Sequence, residues 1–110
     1  MIRSWLVAFA FTQLVEVPVY SVGLRVRLLA AFGASALTHP IVWFVICSPR
    51  WGVAYWATVA VAELFAWLVE AAWFAWVFKK RARAALTWAL LANAASLGAG
   101  LISRAIIGAP

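Results

Sequence analysis

Three short polar segments divide the chain into four long apolar runs, and this division constrains the fold more than any other feature. A helix needs about 20 mainly apolar residues to cross the hydrocarbon core of a bilayer, which is roughly the length of each run. We predict spanning helices over residues 4–24, 28–46, 51–78 and 84–106. Lipid cannot hydrogen-bond to the backbone, so a helix must pair its backbone groups internally. The predicted fold class is an all-α, polytopic four-helix transmembrane bundle, with residues 1–110 forming a single domain.

The composition excludes a soluble domain. Apolar residues make up 68% of the chain and charged residues 11%, against roughly 45–50% and about 25% in soluble domains. A net charge of +6 would suggest nucleic acid in a soluble protein. Here the basic residues cluster between the apolar runs, which is typical of loops at an anionic lipid surface. We therefore expect the lipid bilayer as a partner, and no nucleic acid.

The distribution of basic residues predicts an orientation. The linkers over 25–27 and 79–83 carry six of the nine Lys and Arg residues, whereas the other side carries Arg3, Arg50 and Arg104. Cytoplasmic loops of membrane proteins carry the excess of basic residues. We predict a multi-pass protein of the bacterial inner membrane, with both of these linkers in the cytoplasm and both termini outside.

The second half of the chain resembles the first at an offset of 54 residues, without a gap. Leu14-Val15-Glu16 aligns with Leu68-Val69-Glu70, and the same offset places His39 on Asn93. The basic residues Arg25 and Arg27 align with Lys79 and Arg81. One hypothesis is duplication of a two-helix hairpin, which would give a parallel repeat about an axis along the membrane normal. The alternative is chance matching in a very apolar chain.

All three acidic residues lie within apolar runs, together with the only histidine and the only asparagine. These residues are Glu16, His39, Glu63, Glu70 and Asn93. An ionised side chain at the bilayer centre costs about 2.5–3.5 kcal/mol on insertion scales, so it needs polar partners or a wet cavity. We predict that the five side chains form one polar cluster inside the bundle.

Two interpretations of this cluster stay open. The functional one is a pathway for ions or protons, or a site for a small polar ligand. The structural one is a set of hydrogen bonds between helices, worth about 0.6–2 kcal/mol each. Glu16 and Glu70 occupy equivalent places in the proposed repeat, so we expect them to be the central pair. If they meet, both carboxyls cannot ionise cheaply, and one should keep its proton near neutral pH.

Other chemistry is not indicated by the sequence. No motif of a soluble enzyme is present, and no catalytic residue is assigned. Cys47 is the only cysteine and has no evident partner, so neither a disulfide nor a metal site is predicted. His39 is the only candidate ligand for a heme or chlorin, and no cofactor is expected. In the fourth run, Ser96 and Gly100 have the four-residue spacing of small residues that is typical of close helix packing.

Four short segments of the chain resemble small four-helix bacterial membrane proteins of uncharacterised function. They are Glu16-Val17-Pro18, Thr38-His39-Pro40, the stretch from Glu63 to Glu70, and Asn93-Ala94-Ala95-Ser96. The resemblance covers most of the chain and implies a fold but no activity. Such proteins often have Asn where His39 stands, which argues against a role that requires histidine. The chain is also similar in plan to the small multidrug resistance transporters, with Glu16 in the place of their first-helix glutamate.

Two functional hypotheses follow. The first is a small ion- or proton-coupled transporter or channel subunit, with a proton or small cation as its ligand. The second is a non-catalytic membrane scaffold or accessory subunit that packs against a partner membrane protein. An intramembrane enzyme is a weaker third, because no nucleophile and base can be paired. Since a 12.0 kDa bundle has little surface with which to enclose a lumen, we also expect a homo-oligomer or a partner membrane protein.

Overall fold

The computed structural model describes residues 2–47, 52 and 54–108. Its helices are α1 (Ile2–Gly23), α2 (Leu28–Ile41, extended by a π-helical turn over Val42–Ile46), α3 (Tyr55–Ala72, extended by a π-helical turn over Trp73–Val77) and α4 (Ala82–Ile107). No strand occurs within these ranges. All four helices are long and apolar enough to span a membrane, so the predicted all-α four-helix architecture is confirmed.

The helices form a four-cornered bundle. Helix α1 packs against α2 and α4, while α3 packs against α4 and α2, so α1 and α3 lie diagonally opposite. The longest dimension of the bundle is 37 Å, enough to cross a hydrocarbon core of about 30 Å. This diagonal arrangement is the one that a parallel repeat of two hairpins requires.

Very short linkers reverse the chain at one end of the bundle. Arg25 and Lys79 have φ values of 55° and 58°, in the left-handed region that residues with a Cβ rarely adopt. These two residues are related by the 54-residue offset. Both hairpins therefore turn with the same unusual backbone conformation at the same position, and each places its basic residues at this end, here called the basic end.

The core at the basic end is tightly closed. Tyr20 and Phe74 are fully buried, and their ring centroids lie 4.5 Å apart. Small side chains surround them and let the helices approach closely. The fully buried alanines are Ala31, Ala34, Ala85, Ala89 and Ala92.

The outer surface of the bundle is apolar. Leu14, Leu29 and Ile106 are each between 76% and 79% exposed, and many other large apolar side chains are exposed around them. A soluble monomer rarely exposes contiguous apolar patches of more than a few hundred Å². The outward face is that of a protein whose surroundings are hydrocarbon, and the architecture supports a multi-pass membrane protein.

Candidate functional site

Glu16 lies at the middle of α1 and points into the bundle, where it is only 2% exposed. The hydroxyl of Ser35 on α2 donates a hydrogen bond to Glu16 Oε1 at 2.6 Å. The hydroxyl of Ser96 on α4 donates to Glu16 Oε2 at 2.6 Å. Glu16 thus ties its own helix to both helices that flank it.

Glu70 lies on α3 at the diagonal corner and is 1% exposed. Its Oε1 accepts a hydrogen bond from the hydroxyl of Tyr20 and another from Asn93 Nδ2 at 3.2 Å. Its Oε2 accepts a hydrogen bond from the hydroxyl of Thr38 at 2.6 Å. Donors from α1, α2 and α4 therefore converge on this one carboxyl group.

The two glutamates belong to one continuous network. Their carboxyl groups are close enough to interact electrostatically, and the Ser96 hydroxyl that bonds Glu16 also lies 3.2 Å from the backbone oxygen of Asn93. Among the described residues no Lys or Arg is buried beside the pair. Two adjacent carboxylates without a cation repel strongly at low dielectric, so a carboxyl pair of this kind shares protons as a unit.

A cavity of about 280 Å³ extends from this pair toward the end of the bundle that carries the termini. It is called here the central cavity, and its deep end is lined by Glu16, Glu70 and Asn93. Its outer part is lined by Cys47, Tyr55 and Arg104, which are exposed residues at the ends of α2, α3 and α4. The central cavity thus connects the buried carboxyls to one face, while Tyr20 and Phe74 close the route to the other.

Glu63 lines the central cavity between the deep pair and the mouth. It is partly exposed and interacts electrostatically with Glu70, two turns further along α3. The only Lys or Arg among the described lining residues is Arg104, whose Nη1 lies 3.4 Å from the hydroxyl of Tyr55 at the mouth. Three acids against one cation make the interior of this cavity electronegative, which favours protons or cations and disfavours anions.

His39 occupies a different environment from the glutamates. Its Nδ1 accepts a hydrogen bond from Trp5 Nε1 at 3.0 Å, and its ring is stacked against that of Trp43 with centroids 6.2 Å apart. It lines the central cavity, but no hydrogen bond joins it to a glutamate among the described contacts. Of the five residues predicted to cluster, the structure joins Glu16, Glu70 and Asn93 in one network, places Glu63 along the cavity, and sets His39 in an aromatic wall.

Sequence reasoning placed Asn93 with the glutamates but missed the other donors to them. Tyr20 follows Glu16 by one helical turn, and Ser35 and Thr38 are three positions apart on one face of α2. Asn93 and Ser96 repeat that spacing on α4. A search for polar residues three or four positions apart within apolar runs would have found them.

The small residues of α4 lie in two different environments. Ala85, Ala89 and Ala92 are the fully buried small residues of this helix, whereas a Cβ added to Gly100 would meet nothing within 4 Å. Gly100 lines the central cavity, so its lack of a side chain widens that cavity within the chain. Ser96 serves as a hydrogen-bond donor to Glu16.

Metal ligation is not supported by the side-chain positions. Within residues 2–47, 52 and 54–108, no group of three His, Cys, Asp or Glu side chains is placed to hold a metal ion.

Comparison with family models, curated proteins and solved structures finds no match to this chain. The functional argument therefore rests on the geometry of the glutamate pair and the central cavity.

Proposed function

We propose that this protein is a proton-coupled membrane transporter of a small cation, in which Glu16 and Glu70 together bind the transported proton. The observation that carries the proposal is the buried carboxyl pair at the closed end of a cavity that reaches one face. A coupling site needs a titratable group with access to one side at a time. The buried Tyr20 and Phe74 rings, which contact each other at a tilt, close the other side.

The proposal assigns different roles to the three acids. Glu16 and Glu70 share protons because their carboxyls interact without a buried cation nearby. Glu63 stands on the path between that pair and the mouth, where a carboxylate attracts an incoming cation. Arg104 repels cations from its side of the mouth, so cations enter along the side formed by the other lining residues.

Reconstituted flux tests this function. Purified protein in liposomes with a trapped pH-sensitive dye is exposed in turn to outward gradients of Na⁺, K⁺ and tetramethylammonium. We expect at least one cation gradient to drive proton movement, and Glu16→Gln or Glu70→Gln to abolish it, since Gln keeps size but cannot titrate. Thr58→Val is the matched control, because Thr58 is a half-buried residue of α3 outside the central cavity, and its hydroxyl donates to the backbone oxygen of Ala54.

A structural role for the network is the competing function, and the complete pairing of the donors around Glu16 and Glu70 favours it. A scaffold predicts no proton movement with any cation gradient, and unchanged folding of both Gln variants. Proton movement that persists unaltered in both variants would exclude a titrating role for the pair. Size-exclusion chromatography of each variant before reconstitution separates lost flux from lost folding.

The proposed orientation has both termini and the cavity mouth outside and the basic end in the cytoplasm. Cys47 reports on this, because it is the only cysteine and lies exposed at the mouth. Burial, followed by the charge of Glu63, raises the pKa of the Cys47 thiol, so labelling with an impermeant maleimide should be done at about pH 9, where more thiolate is present. Labelling of intact cells supports the orientation, and labelling only of inverted vesicles contradicts it.

The proposal includes assembly into homo-oligomers, because a bundle of this size offers little surface for a gate of its own. Crosslinking in native membranes should capture species larger than 12.0 kDa. Recovery of monomer alone, under conditions that crosslink a known membrane dimer, would contradict it.

A further inference from the structure

A second cavity of about 830 Å³ lies on the outside of the bundle at the basic end, between α2 and the π-helical end of α3. It is called here the basic groove. Its polar rim consists of Arg25, Arg27 and Lys80. Its apolar wall includes Leu29, Phe32, Gly33, Ala36, Trp73 and Phe78. The basic groove is separate from the central cavity and shares no lining residue with it.

Contacts with α2 and Phe78 hold Trp73 in place in the apolar wall of the basic groove. Its indole Nε1 donates to the backbone oxygen of Ala30 at 3.0 Å, and its ring packs edge-on against Phe78 with centroids 5.4 Å apart. A Cβ on Gly33 would come within 2.9 Å of the Trp73 ring. Only glycine therefore lets the indole lie so close to α2, and this close contact forms a rigid apolar surface along the groove.

The positive charge of the rim is not neutralised by this chain. The only acidic residues are Glu16, Glu63 and Glu70. All three line the central cavity, and two of them are buried in the network described above. The basic groove therefore combines three cations, contributed by both linkers at the basic end, with an apolar wall that runs toward the middle of the bundle.

We propose that the basic groove binds one anionic phospholipid, with its phosphate on Arg25, Arg27 and Lys80 and an acyl chain along Trp73 and Phe32. Basic pockets between spanning helices suit anionic lipid headgroups, and each cation near the surface strengthens the attraction. The apolar wall suits the acyl chain of the same phospholipid. The site is independent of the proposed transport and of the direction in which the protein is inserted.

Native mass spectrometry of the detergent-purified protein tests the proposal with two probes, phosphatidylglycerol and phosphatidylcholine of identical acyl chains. We expect one phosphatidylglycerol to be retained, with at least about tenfold preference over phosphatidylcholine. The triple variant Arg25→Gln, Arg27→Gln, Lys80→Gln should lose that preference. Arg81→Gln with Arg83→Gln is the matched control, since both residues lie at the same end of the bundle but outside the groove, and it should retain the lipid.

A second variant tests whether lipid retention depends on the shape of the basic groove as well as on the charge of the basic end. Ala36→Phe fills the apolar wall without changing any charge, and it should weaken retention of phosphatidylglycerol while the rim stays intact. Inorganic phosphate at millimolar concentration should not displace the lipid. Equal retention of both lipids, equal losses in the triple variant and the matched control, or full retention in the triple variant would each overturn the proposal.

Discussion

The two hairpins of this molecule, α1 with α2 and α3 with α4, share a backbone plan but differ in their polar side chains. The 54-residue offset pairs Glu16 with Glu70 at the bundle centre, and Arg25 with Lys79 at the left-handed turns. The same offset also relates two hydrogen bonds that side chains donate to backbone oxygens. Gln13 Nε2 donates to Phe32 O at 3.3 Å, and Trp67 Nε1 donates to Leu86 O at 2.7 Å.

The hydrogen-bond partners of the two glutamates do not follow this symmetry. Glu70 accepts from the hydroxyl of Tyr20, but Phe74, at the equivalent position in the second hairpin, has no hydroxyl to donate to Glu16. Asn93 donates to Glu70, whereas its counterpart His39 bonds Trp5 instead. The two hairpins therefore share a backbone arrangement, while differences at single equivalent positions give the two glutamates different hydrogen-bond partners.

The largest test of this inequivalence is to replace each glutamate by leucine. Glu70→Leu removes three hydrogen bonds between helices and should cost about 2–4 kcal/mol of unfolding free energy. Glu16→Leu removes two and should cost about 1–2 kcal/mol. Reversible unfolding in mixed micelles with SDS measures both. Equal losses, or a larger loss for Glu16→Leu, would show that the asymmetry has no energetic consequence.

Tyr20→Phe would make the two central aromatic positions identical. The ring should keep its contact with Phe74, while the hydrogen bond to Glu70 disappears, at a cost of about 1 kcal/mol. The same unfolding assay measures the loss. Tyr55→Phe is the control, because Tyr55 is exposed and its hydroxyl lies 3.4 Å from Arg104, so that removal should cost less than about 0.5 kcal/mol.

His39→Asn would give the first hairpin the residue of the second. The exchange removes the bond from Trp5 and the contacts with the surrounding rings, and it should cost about 0.5–1 kcal/mol. Proton movement in liposomes should keep its wild-type rate, because His39 has no hydrogen bond to Glu16 or Glu70 among the described contacts. A variant that folds but has lost flux would give His39 a role that the glutamate network does not provide.

Gln13→Leu should have the smallest effect. Among the described residues, the buried Oε1 atom of Gln13 has no hydrogen-bond partner, so removing the amide relieves an unpaired acceptor while losing one long bond to Phe32. We expect a change within about 0.5 kcal/mol of zero. Trp67→Leu, at the equivalent position, removes a shorter bond and a large ring and should cost about 1 kcal/mol or more. Matching losses at the two positions would contradict the asymmetry.

Much of the architecture was predictable because it depends on properties that sum along the chain. Length and hydropathy gave four spans, and the observed Leu28–Ile46 and Tyr55–Val77 helices lie close to the predicted 28–46 and 51–78. Positions 51 and 53 of the latter prediction lie outside the described residues. The candidate polar residues were also predictable, because an acid in an apolar run is conspicuous in any sequence. The 54-residue offset also predicted that Glu16 and Glu70 form a pair.

Residue order and hydropathy alone specify four apolar helices, with the acids within them and the basic residues at their ends. The pairing of each donor with its acid was set by the packing of the helices, because it depends on the rotation of each helix about its own axis. Hydropathy hardly constrains this rotation when lipid and core are equally apolar. Tertiary packing also decided that His39 faces Trp5, and that the cavities lie where glycine and alanine leave space. Such features arise from contacts between helices, so spacing along one helix can identify the polar side chains but not their partners.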